Sequence, residues 1–229
     1  MITQPTAGRW TASAGVGLPP HGPSGTRPEH LTELLGVPRQ REAAALRRAL
    51  GRLHTAMRRG DLCASMRWLT RTRLTWQRKK SGKPRPIKMG EVLRSSFAKR
   101  YTKHHLPALR AHFRNAHQWG VGVPGACEAM VHWRGAVEEL ATQGAIPALV
   151  ALDVDLVNMF GSVEWEAMRS AIDATAFPEI ATWTAWHQQE ASTTLLPSGE
   201  IFTTDRGAEQ GDGFGTVQAC LTLAAARTA

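Results

Sequence analysis

Positive charge in this chain is concentrated in one stretch, and that concentration restricts the possible folds more than any other feature. Between Arg39 and Arg114 there are 22 Lys and Arg against only Glu42, Asp61 and Glu91, a local balance of +19; the remaining residues carry 6 basic and 16 acidic groups, a balance of −10. Cationic side chains are rarely buried without a partner, so this stretch must fold with most of its charge on an outer face. The formal net charge of +9 and pI near 10.3 favour an anionic partner, nucleic acid ahead of an acidic membrane surface. A basic half beside an acidic half suits a surface that grips phosphates next to a site that holds metal ions.

The 229 residues, 42% of them hydrophobic, are enough for one domain with a core or for part of a larger one. Cys63, Cys127 and Cys220 are odd in number and widely spaced, which excludes a disulfide framework and a CxxC zinc pair. No apolar run approaches the roughly 20 residues that span a bilayer, and the N-terminus lacks a basic start followed by an apolar segment. These features predict an intracellular protein without a membrane partner, nuclear and cytoplasmic sites being indistinguishable.

Four regions follow from pattern. Residues 1–30 are rich in Gly, Pro, Ser and Thr and read as a disordered leader. In the basic region 31–75, Leu46, Leu50, Leu53 and Met57 share one helical face while Arg47, Arg48, Arg52, Arg58 and Arg59 cover much of the rest. Within 76–145, "TWQRKKSGKPRPIKM" predicts a basic hairpin turning at Ser81-Gly82, followed by a helix from Val92 to Leu109 with a break near Pro107. In 146–229, "IPALVALDVDL" has the length and β-branching of a buried strand. Ser162 is then placed to cap a helix that buries Met168 and Ile172, "TTLLPSGEIFTTDRG" predicts a hairpin turning at Pro197 to Gly199, and "VQACLTLAAARTA" begins a helix.

Asp153 and Asp155 alternate on the expected strand and therefore face opposite sides, so one of them serves any given site. A strand-end carboxylate is a hard ligand suited to Mg²⁺ shared with substrate phosphates. "DLVNMFGSV" resembles the reverse-transcriptase pattern of a catalytic Asp, an aromatic five residues later, then x-Ser-Val, which selects Asp155. "RGAEQGDGFG" is similar to that family's Gly-x-x-Gln-Gly-Asp-Pro motif at Gln210 and Gly211; Gly213 stands where Pro is usual and predicts a looser turn. "KPRPIKMGEVLRSSFAKR" resembles the fingers motif in which Arg-Pro-Ile follows a basic hairpin, and "QWGVGVPGACEAM" resembles the Gln-x-Gly segment between fingers and palm. The order of these motifs from Trp76 to Ala226 is more specific than any one of them.

The resemblance, to reverse transcriptases of the non-LTR retrotransposon type, implies an α/β (α+β) fold, a partial right-hand polymerase with fingers and an incomplete palm. It implies that Asp155 is catalytic and binds Mg²⁺, that Arg85 holds the dNTP triphosphate, and that Phe160 lies under the sugar and excludes a 2′-hydroxyl. Gln210, Gly211, Gln118 and Gly120 would border nucleotide and template, with Lys79, Lys80 and Lys83 assisting on nucleic acid. The implied partners are an RNA template, a DNA primer and dNTP. Phe160 argues against a replicase that accepts ribonucleotides.

The family completes its site with an aromatic-x-Asp-Asp hairpin, and the sequence contains no Asp-Asp pair. The expectation is a chain truncated before that motif, inactive by itself and part of a parent that copies RNA into DNA by two-metal nucleotidyl transfer. Two alternatives stand beside it: a non-catalytic nucleic-acid-binding protein derived from such a domain, and a degenerate remnant that aggregates through an unburied apolar face.

Overall fold

The computed structural model describes residues 22–36, 40–78, 80, 82, 84–150, 154–209 and 211–226. Two hairpins build its sheet. Strand β1 (Thr72–Arg78) pairs antiparallel with β2 (Pro84–Gly90), Arg78 opposite Pro84, so the turn falls where Gly82 takes φ 80. Pro84 and Pro86 lie on the outermost strand, where a missing N–H costs no ladder bond. Strands β3 (Ser192–Leu195) and β4 (Ile201–Thr204) form the second hairpin, in which Gly199 N–H donates to the Leu196 carbonyl at 3.0 Å with φ 90 at Gly199. A short parallel pairing of β1 with β3 joins the hairpins into the order β2-β1-β3-β4. Thr72 and Thr194 face each other across that join, both fully buried, with their hydroxyls 2.8 Å apart.

Helices supply the rest of this α+β fold: α1 (Pro28–Gly36), α2 (Gln40–Arg59), α3 (Val92–Asn115), α4 (Ala126–Thr142), α5 (Met159–Ser162), α6 (Trp165–Asp173), α7 (Pro178–His187) and α8 (Gly215–Ala226), with a 3-10 helix at Ala64–Thr70. The expected apolar face of α2 points inward, Met57 fully buried and Leu53 packed against the core. Phe97 of α3 is the hub. Its ring lies 5.6 Å from His54, 5.6 Å from Trp183, 5.9 Å from Phe214 and 6.2 Å from Tyr101, drawing α2, α3, α7 and the start of α8 into one cluster. The basic and acidic halves of the chain therefore share one core.

Several expectations change. Helix α3 does not break at Pro107 but continues to Asn115, because Leu109 and Phe113 beyond it are fully buried and outweigh the lost backbone hydrogen bond. The strand expected over 146–156 is not formed in its described part, 146–150 and 154–156; no described segment pairs with it, and Leu149, Val150 and Val154 are exposed. Asp155 consequently sits on an irregular segment, while Asp153 lies outside the described residues. Ser162 ends α5 instead of capping α6, whose N-cap is Glu164. Residues 22–27, grouped with the leader by composition, run against the start of α3, where Ser24 donates its N–H (2.9 Å) and hydroxyl (2.5 Å) to the buried Glu91 carboxylate.

Replacing the hub ring tests this packing: Phe97→Ala should lower the unfolding free energy by about 3–5 kcal/mol, read from denaturant titration.

Candidate functional site

Arg94 occupies a position that basic residues normally avoid. Arg94, Phe97, Ala98 and Tyr101 fall at i, i+3, i+4 and i+7 on the inward face of α3, and Arg94 has no exposed surface. Its guanidinium is ion-paired with Glu209 through Nη2, and Nε lies 2.8 Å from Asp212 Oδ2. Nη1 donates to the Thr70 carbonyl at 3.3 Å and to His187 Nε2 at 3.0 Å. Burial alone would pull the Arg94 pKa down; the carboxylates of Glu209, Asp212 and Glu91 outweigh it and raise the pKa. The His187 ring accepts from a permanent cation, so it is neutral and carries its proton on Nδ1; burial, then the charge of Arg94, pushes its pKa down to about 3.

The two carboxylates on Arg94 flank the Gln-Gly pair, with Gln210 itself outside the described residues. Three glycines fit this loop into a narrow space. A Cβ on Gly211 would run into the Lys88 carbonyl on β2 and come within 3.9 Å of the Ile87 side chain. One on Gly213 would lie 2.8 Å from the Lys99 amide nitrogen and 2.9 Å from Ala98 Cβ on α3, and one on Gly215 would strike the Glu209 carbonyl. Gly213 therefore marks close packing against α3, not the looser turn that its difference from Pro suggested. The loop closes on itself through Phe214 N–H donating to Asp212 Oδ1 at 2.7 Å.

Other predicted motifs meet this loop to differing degrees. Gly207 N–H donates to the Val163 carbonyl at 2.7 Å and Ala208 N–H to the Phe160 carbonyl at 2.6 Å, so the segment following Asp155 is held against the start of the loop. Phe160 is half-buried and packs on the core. Arg85 is exposed and shares a face of β2 with Ile87. Gln118 turns inward on its own segment, its Oε1 accepting from Gly120 N–H at 2.9 Å, and a Cβ on Gly120 would lie 3.5 Å from Cys220 Sγ on α8. This places Gly120 beside α8. Lys80 is exposed; Lys79 and Lys83 lie outside the described residues.

Asp155 is exposed and forms no hydrogen bond or ion pair among the described residues, which also contain no group of three or more His, Cys, Asp or Glu placed to hold a metal. Its carboxylate has the right chemistry for one Mg²⁺ ligand, but the described residues do not complete a metal site.

Sequence reasoning passed over Arg94, His187, Glu209 and Lys88. Arg94 was legible as a lone arginine on an otherwise apolar helical face; His187 carried no such signal. Lys88 bridges the hairpins, donating through Nζ to Thr204 Oγ1 at 2.9 Å and lying 5.7 Å from the centre of the Phe202 ring. Burial lowers its pKa, partly offset by Glu209. In comparisons with known proteins, no protein-family model matches the chain and no curated protein matches it significantly. No helix among the described residues is long and apolar enough to cross a membrane.

His187 sets a pH dependence. Its folded pKa of about 3 lies below its ordinary 6.5, so the unfolded chain takes up the proton first and stability falls as pH drops through 6.5 toward 3. At about 1.4 kcal/mol per pH unit, the wild type should lose about 2 kcal/mol more than His187→Gln between pH 6.5 and 5, measured by urea unfolding at each pH.

Proposed function

We propose that this chain carries the fingers and first palm motifs of an RNA-directed DNA polymerase of the non-LTR retrotransposon type. The observation that carries this reading is the convergence of three motifs far apart in sequence: Arg-Pro-Ile on β2, the Asp155-to-Phe160 segment, and the Gln-Gly-Asp loop. At Gly211 the loop runs so close to the Lys88 carbonyl that a Cβ would collide with it, and the loop bonds to Phe160 through Ala208. A guanidinium on a stiff hairpin beside a glycine that admits close backbone approach is suited to holding a triphosphate.

In this reading Arg85 binds the triphosphate of the dNTP, Gln210 and Gly211 border the nucleotide, and Phe160 lies under its sugar and disfavours ribonucleotides. Gln118 and Gly120 border the template, and Lys79, Lys80 and Lys83, which follow β1 in sequence, contact nucleic acid. Asp155 supplies one carboxylate for Mg²⁺. Two-metal nucleotidyl transfer requires further carboxylates, and these 229 residues contain no Asp-Asp pair. The right-hand arrangement of fingers and palm is part of the same proposal.

A second reading, a nucleic-acid-binding protein without catalysis, is favoured by the lack of a metal-holding group among the described residues together with the basic, exposed hairpin. Primer extension on an RNA template with dNTPs and Mg²⁺ separates the two. The 229-residue chain alone should give no product, whereas a longer polypeptide that appends an aromatic-x-Asp-Asp segment should extend the primer and lose at least about 100-fold in rate on Asp155→Ala, the scale of a lost charge-stabilising group. Extension that survives Asp155→Ala would overturn the assignment, and a folded longer polypeptide that binds RNA without extending would favour the second reading.

A further inference from the structure

Helix α2 lies outside the motif-bearing stretch, yet it carries a surface that nothing above uses. Its apolar face turns to the core, with Met57 buried, Leu53 packed on the core cluster and Leu46 and Leu50 half-buried. At about 100° per residue, Arg48, Arg52, Thr55 and Arg59 form a second line at i, i+4, i+7 and i+11, about 200° around the helix from the first. This line points directly away from the core, and all four residues are exposed. Together with Gly51, Ala56 and Asp61 they line a shallow groove that is largely open to solvent.

Two features of the groove are costly unless it has a ligand. Arg48 and Arg52 are like charges one turn apart, an arrangement that destabilises a helix, and neither they nor Arg59 form an ion pair among the described residues. The groove also has a glycine in the helix interior. Gly51 destabilises the helix relative to alanine, and a Cβ there would meet nothing within 4 Å, so no packing in the fold requires its absence. A glycine between arginines lowers the floor and lets a backbone approach the helix closely.

We propose that the α2 ridge of Arg48, Arg52 and Arg59 binds the phosphodiester backbone of single-stranded nucleic acid, independently of the Arg85 and Gly211 region. The arginines are spaced about 6 Å and about 10.5 Å apart along the helix axis, so they contact separate phosphates of one strand and read no base. Gly51 lets the strand lie against the helix between them. The site does not depend on the polymerase reading, because it needs neither Asp155 nor a metal.

Binding of a fluorescently labelled 20-nucleotide RNA of mixed sequence to the full 229-residue chain, followed by anisotropy between 50 and 200 mM salt, tests it. The triple variant Arg48→Gln, Arg52→Gln, Arg59→Gln should bind at least about 10-fold more weakly, with its salt slope reduced by about 2, the value for three lost single-strand phosphate contacts. The triple variant Lys103→Gln, Arg114→Gln, Arg134→Gln removes the same charge elsewhere and should change affinity by less than about 3-fold. Gly51→Leu, which keeps every charge, should also weaken binding. Circular dichroism checks that each variant is folded. Equal losses in the two triple variants, wild-type binding by the α2 triple variant or by Gly51→Leu, a clear preference for duplex over single strand, or stronger retention on anionic vesicles than on RNA would each overturn the proposal.

Discussion

The guanidinium of Arg94 has no exposed surface, and much of the candidate site depends on how that charge is compensated. An isolated buried cation is prohibitively costly, so the carboxylates of Glu209 and Asp212 must remain beside it once α3 has packed. That requirement fixes the loop that carries Gln210 and Gly211. The loop then lies between β2 on one side and α3 on the other, and the glycines at 211, 213 and 215 are the residues that let it fit. His187 completes the arrangement as a neutral acceptor, which links α7 to the same charge cluster.

This anchoring also connects the two halves of the chain. Arg94 belongs to the basic stretch, and its carboxylate partners belong to the acidic remainder. The charge segregation that dominates the sequence is thus partly neutralised in the interior, while the arginines of α2 and Arg78, Lys80 and Arg85 of the β1–β2 hairpin stay exposed. The core repeats the connection in apolar form through Phe97, which gathers α2, α7 and Phe214 around α3. A loop fixed on a rigid helix by buried charge is a better platform for ligand contacts than one held only at the surface.

Local patterns were legible where they were periodic or carried turn residues. The α2 face, both hairpins with their glycine turns, and the burial of Met168 and Ile172 in α6 follow from spacing alone. The strand expected around Asp155 was not legible in the same way, because an apolar run becomes a strand only when another backbone pairs with it. Leu149, Val150, Val154 and Val157 stay exposed with no pairing backbone among the described residues, and Met130, Val131 and Trp133 on α4 are exposed as well. The helix through Pro107 was misread because proline's local penalty is visible in sequence and the burial of Leu109 and Phe113 is not. The charge cluster itself is a tertiary feature whose members are 115 residues apart for Arg94 and Glu209, so only the oddity of an arginine on an apolar face announced it.

A double-mutant cycle between Arg94→Met and Glu209→Leu, measured as unfolding free energies, tests most directly whether buried charge anchors the loop. The account predicts that each single change costs about 3–5 kcal/mol, because each leaves charge buried without its partner, and that the double variant is less damaged than the sum by at least about 2 kcal/mol. Additivity within about 0.5 kcal/mol would mean that Arg94 and the loop are stabilised separately, which would contradict the account.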